Sequence, residues 1–208
     1  MRFIKKNSSC AELETWKRRN PQKKRYEDLD PPIRQAIRNA LREEQYGLCA
    51  FCCNRLKASE GRNAHLKSRS QYPSKALSWD NLVVSCERRD SCDIEQGKKS
   101  LPLTPLMPNC ETDIVYYISG EIEGKNKDAQ DTIDILGLNN RKLVNSRKFG
   151  INTLASAHSL DPVEDIAYLS DEEKEAFLKI LDEVDEEGCL PSYQPALKYI
   201  VKMFISNK

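Results

Sequence analysis

Cys49 and Cys52 make one cysteine pair, Cys86 and Cys92 a second, and between them lie one histidine, His65, and Asn81. Thiolate is a soft ligand, and four thiolates at this spacing can close a tetrahedral structural zinc site that pins two distant chain segments together. The first pair reads Cys-Ala-Phe-Cys, a knuckle whose sulfurs face one side of a tight turn. The second is a looser Cys-x5-Cys with Arg88, Arg89 and Asp90 inside it. Cys53 could replace Cys52, although Cys-x2-Cys is the better bite, and buried thiols without metal are the plain alternative. A redox CxxC fits less well, because the pair recurs and no βαβ pattern surrounds it. Cys10, Cys53, Cys110 and Cys189 are left over and read as buried or free thiols.

A staple of this kind fixes whatever lies inside it. A neutral imidazole near pH 7 accepts protons readily, which makes His65 a candidate general base. Asn81 could orient that imidazole through its side-chain carbonyl. Asp93 directly follows the last thiolate, so the metal site fixes its place, and its carboxylate could hold Mg²⁺ or Mn²⁺ against a phosphate. Lys67, Arg69, Arg88, Arg89, Lys98 and Lys99 are candidate phosphate contacts, with weight as a cluster rather than singly. Each residue has a plain structural reading as well: a packed histidine, an asparagine in a turn after Trp79-Asp80, an aspartate capping a short helix, and solvated charges. His158 reads as a surface residue.

The elements around these residues follow from periodicity and punctuation. Ile33, Ala36, Ile37, Ala40 and Leu41 recur at helical spacing, and Pro32 suits a first turn, so a helix over 31–45 delivers the chain to Cys49. Residues 17–25, interrupted by Pro21, read as a loop or frayed helix end. Residues 81–85 read as a strand that could pair with a short one around 64–66, and a helix is expected over 93–98. Residues 101–110 carry three prolines and read as extended chain. Residues 114–122 alternate and contain Ser119-Gly120, a hairpin or edge strand. Helices are expected over 128–136, 139–158, 170–187 and 194–206, the third opened by a Ser170/Glu173 capping box. The expected class is α+β: a metal-stapled finger (48–125) between an N-terminal helical arm (1–47) and a C-terminal helical region (126–208).

The chain has 208 residues and a net charge of only +1, but the charge is uneven. Residues 1–25 carry nine Lys/Arg against two Glu, 54–75 carry six against one, and 159–187 carry twelve Asp/Glu against two Lys. This suggests a basic binding face and an acidic segment turned elsewhere, toward a partner or simply toward solvent. No run of about eighteen apolar residues exists to span a membrane, and the charged start is followed by no apolar stretch, so no secretory signal is read. Cysteines in that context favour reduced thiols and metal, with a cytoplasmic location as the default.

Cys49-x2-Cys52…His65…Asn81-Leu82…Cys86…Cys92-Asp93…Gly97 resembles an HNH (ββα-metal) nuclease with a zinc-stapled finger. "MRFIKKN…LETWKRRN", "PPIRQAIRNALREEQYGLCAFC", "SRSQYP…LSWDNLVVSC" and "DAQDTIDILGLNNRKLVNSRK" widen the resemblance over most of 1–150, to the HNH proteins of the Septu anti-phage system and its retron-linked relatives. The resemblance implies an endonuclease acting in anti-phage defence, with DNA as the favoured substrate and RNA such as tRNA as the alternative. It also implies an SMC-like or ABC-type ATPase partner and, in retron-linked systems, a reverse transcriptase complex. By position, His65 matches the general base, Asn81 the middle asparagine, Asp93 the metal-side residue, and the four cysteines the zinc ligands. One departure stands out: many HNH sites carry Asp, Glu or His before the catalytic histidine, whereas this chain has Ala64. Asp93 compensates, or magnesium binds weakly until substrate phosphate completes its shell. Loss of catalysis, leaving a zinc-containing nucleic-acid-binding adaptor, is the reading from another class.

Overall fold

The computed structural model describes residues 1–205 and shows a mixed α+β fold in which two small antiparallel ribbons are set among helices. Helix α1 (Ala11–Arg19) packs against α2 (Pro31–Glu44), and Trp16 Nε1 donates to Asp30 Oδ2 at 3.0 Å just before α2 begins. Helix α2 starts on two prolines, whose missing N–H groups cost nothing in a first turn, and buries Ile37 and Leu41. At its C-terminal end Gln45 is 2% exposed and fully used. Its Nε2 donates to Leu48 O and Val84 O, and its Oε1 accepts from Val84 N. One amide thereby joins the helix end, the first cysteine knuckle and a strand.

Strand β1 (Arg62–His65) pairs antiparallel with β2 (Leu82–Ser85) in the register Arg62↔Ser85, Asn63↔Val84, Ala64↔Val83, His65↔Leu82. The apolar run of β2 is buried on both faces. Lys6 reaches in from the N-terminal arm to donate to Leu82 O at 2.9 Å and pairs with Glu44 of α2. Helix α3 (Cys92–Gln96) follows and ends at Gly97, whose φ of +58° suits a residue without Cβ. Strands β3 (Ile114–Tyr116) and β4 (Ile122–Gly124) form the second ribbon, whose turn passes through Gly120 at φ +87°.

The C-terminal helices are α4 (Lys127–Ile135), α5 (Arg141–Ser156), α6 (Asp171–Ile180) and α7 (Gln194–Met203). Asn126, Asn140 and Ser170 each cap the helix that follows, and Ser170 with Glu173 forms the expected capping box. The acidic helix expected over 170–187 stops at Ile180. Beyond it Asp185 Oδ1 accepts from the backbone N–H of Glu187 and Cys189, which closes a turn that helical backbone would forbid. The last helix, expected to run to 206, ends at Met203, and position 206 itself lies outside the described residues. Arg147 of α5 is 1% exposed and donates to Gly120 O and Leu138 O, tying the second ribbon to the helices. The stretches 1–47, 48–125 and 126–205 share one hydrophobic core, which runs from Met1 through Phe51 and Ile133 to Val201. Among the described residues, no helix is long and apolar enough to cross a membrane.

Candidate functional site

Cys49, Cys52, Cys86 and Cys92 come together with all four sulfurs within 4.8 Å of one another. The Cys49–Cys92 and Cys52–Cys86 separations are both 3.9 Å, against the ~3.8 Å that four Zn–S bonds of about 2.3 Å require in a tetrahedron. Cys53 is as buried as Cys52, but it is the Cys52 sulfur that joins the other three. The cluster could hold a metal such as zinc. The protons make the same point. Burial opposes ionisation of Cys49, but thiol hydrogen bonds from Cys52, Cys86 and Cys92 outweigh it and pull that thiol well down. The resulting bond to Cys49 is then the main force pushing Cys92 well up, and it leads the causes that push Cys52 up as well. Four buried thiols cannot all ionise side by side unless a cation joins them.

The long bite of the second pair is braced from further along the chain. Cys92 has φ +60°, and its N–H donates to Leu136 O at 2.8 Å. Asn140 Nδ2 donates to Asp90 O at 3.0 Å, and a Cβ on Gly137 would meet that same oxygen at 2.8 Å. The turn between α4 and α5 therefore holds the Cys86–Cys92 loop.

His65 closes β1 and lies 8% exposed beside a cleft of about 690 Å³. Its Nε2 sits 3.0 Å from Ala76 O. A carbonyl only accepts, so Nε2 carries the proton and Nδ1 is left as the basic atom. Tyr26 stacks edge-on against the ring at 4.9 Å. Burial lowers the imidazole pKa to about 4, with the Ala76 bond opposing and Arg69 assisting. At neutral pH His65 is uncharged.

Asn81 does not touch the ring. Its Oδ1 accepts from Lys67 N at 2.7 Å, and its Nδ2 donates to Lys67 O and Lys75 O. The expected direct orientation of His65 is replaced by a clamp on the loop that carries Ala76, because a 3%-exposed amide beside three free backbone groups satisfies those first.

Asp93 stands across the cleft on α3, with Oδ2 3.0 Å from Arg62 Nε. Burial raises its carboxyl above the ordinary range, and Arg62 opposes that rise. Asp93 is the second residue of α3 rather than its cap, which is Ser91.

Of the candidate cations, Arg69 and Lys98 line this cleft. Arg88 lies on a different groove beside Tyr193, and Lys67 turns its ammonium over Tyr72, so neither lines it. Arg89 and Lys99 are exposed and also stand apart from it. Spacing did not reveal Arg25, Glu27, Arg62 and Asn63, which also line it. Asn63 and Arg62 carried a weak signal as neighbours of His65 in one short strand. Arg25 was hidden within the basic N-terminal run.

No family model matches the chain, and no curated protein matches it. The chemistry of the site therefore carries the functional argument.

Proposed function

We propose that this chain is an HNH-type endonuclease, in which β1, β2 and α3 form a ββα-metal finger stapled by structural zinc at the four cysteines. His65 acts as general base on a phosphodiester of nucleic acid. The observation that carries this reading is the state of His65: uncharged at neutral pH, fixed by Ala76 O, and left with a free Nδ1 beside a cleft lined by four cationic and two acidic side chains. Such a cleft attracts a phosphate backbone, and a fixed neutral imidazole beside it can take the proton of an attacking hydroxyl. Asn81 acts at one remove, by holding the loop that holds the ring.

The magnesium or manganese ion that the HNH resemblance implies meets a poor donor set. A hard cation needs several oxygen ligands, yet the cleft has two carboxylates, Asp93 and Glu27, each paired with an arginine. Among the described residues the four cysteines are the only cluster of three or more His, Cys, Asp or Glu donors close enough to hold a metal. The reading therefore rests on the chain's own residues. The role in anti-phage defence with an ATPase partner follows from the same resemblance.

The test is cleavage of plasmid DNA and total RNA by the chain, with a neighbouring ATPase added if one is encoded, wild type against His65→Ala. Cleavage is expected to vanish in the variant while zinc stays bound and the chain stays folded at the assay temperature, although loss of the buried ring lowers the unfolding midpoint. Cleavage that survives His65→Ala would refute the assignment.

A further inference from the structure

Arg62 occupies an unusual place. It lies on β1 three residues before His65, and its Nε pairs with Asp93 Oδ2 at 3.0 Å. Its side chain is 46% exposed against 16% for Asp93, so the carboxylate anchors the guanidinium while part of it stays open to the cleft. Its Nη groups have no hydrogen-bond partner among the described residues. A planar cation with spare, forked donors matches a phosphate.

The surroundings favour an anion over a metal ion. Arg25, Arg62, Arg69 and Lys98 against Glu27 and Asp93 leave the cleft at four minus two, or +2. Ala64, where a ligand would be wanted, is apolar, 1% exposed and paired with Val83. A divalent ion would have to displace Arg62 from its carboxylate within a field that repels it.

We infer that the Arg62 guanidinium supplies the positive charge that a divalent ion supplies in metal-dependent nucleases, and that this cleft cleaves RNA without a catalytic metal. The inference rests on the nuclease reading above and sharpens it. A metal would acidify water and so make it a nucleophile. Without one, the readily activated nucleophile is a hydroxyl already tethered beside the phosphorus, where proximity supplies much of the barrier reduction. RNA has that hydroxyl and DNA lacks it. In the step, O2′ gives its proton to His65 Nδ1, the O2′–P bond forms and the P–O5′ bond breaks. The leaving O5′ takes a proton from solvent at the open mouth of the cleft. The products are a 2′,3′-cyclic phosphate and a 5′-hydroxyl. Arg62, with Arg69 and Lys98 beside it, neutralises the charge that builds on the phosphoryl oxygens.

The experiment uses the zinc-loaded full chain. RNA and DNA of one sequence are incubated without added metal and with a brief excess of chelator, and zinc is measured at the end. The expected result is RNA cleavage with cyclic-phosphate ends, uncut DNA, and a loss of about 100-fold or more in Arg62→Ala, the scale of removing one charge-stabilising donor. Binding of Mn²⁺ followed by its paramagnetic signal gives a readout apart from activity. Wild type is expected to show no saturable site. Cleavage that needs Mg²⁺ or Mn²⁺, 3′-hydroxyl ends, equal cutting of DNA, or a saturable Mn²⁺ site abolished by Asp93→Asn would each overturn the inference. If His65→Ala still kills activity in those cases, the nuclease reading stands without it. Cleavage of neither polymer under any of these conditions overturns both.

Discussion

Replacing Asn81 tests how the site is held. The side chain is 3% exposed and makes three hydrogen bonds, one accepted from Lys67 N and two donated, to Lys67 O and Lys75 O. At about 1 kcal/mol net for each, Asn81→Ala is expected to cost ~3 kcal/mol, because the truncated site leaves three backbone groups without their partner. Asn81→Asp separates two mechanisms. A carboxylate still accepts from Lys67 N but sets an oxygen against two carbonyls, so it is expected to cost at least as much as alanine. If Asn81 instead oriented the imidazole through its carbonyl oxygen, aspartate would serve nearly as well and the change would be mild. Urea unfolding at pH 7, followed by the fluorescence of the buried Trp16 and Trp79, gives both numbers, with a constant slope as the check on two-state behaviour. A loss below about 1 kcal/mol for alanine, or a wild-type midpoint for aspartate, would refute the clamp.

Cys86→Ser is expected to lose zinc and unfold, since structural zinc contributes roughly 10–16 kcal/mol in small fingers, comparable to a whole domain's stability of ~5–15 kcal/mol; metal analysis with circular dichroism checks this. Stability is expected to fall as pH drops from 6.5 toward 4, because in that window the unfolded chain binds a proton on His65 that the folded chain, with its pKa near 4, refuses. The gap of about 2.5 pH units, at about 1.36 kcal/mol each, sets the loss at ~3 kcal/mol, and His65→Gln is expected to flatten that part of the stability–pH curve relative to wild type. Gly137→Ala places a methyl 2.8 Å from Asp90 O at φ +58°, so a loss of about 1–3 kcal/mol and faster zinc release to a colorimetric chelator are expected.

The parts of this molecule that spacing made legible are those that short-range physics decides. The cysteine knuckle, the apolar stripe of α2, the buried run of β2 and the Ser170 capping box all write their pattern within a few residues. The ring of residues about His65 does not. Tyr26 and Arg25 reach it across some forty positions, and Asn81 turned to backbone groups whose location only the folded loop determines. Arg62 read as one charge among many until the register placed it beside Asp93. The acidic stretch after Ile180 has helical composition, but Asp185 found backbone donors in a turn instead.

The link from Cys92 N–H to Leu136 O also sets an order of events during synthesis. The ribosome emits Cys92 about forty-five residues before the turn that fixes its loop. Until residues 136–140 clear the exit tunnel, the second cysteine pair lacks the backbone partners that give it its bite. A metal taken up by these four cysteines would then be captured late rather than early on the nascent chain, and a fragment ending near residue 125 would present both cysteine pairs with the second loop unsupported.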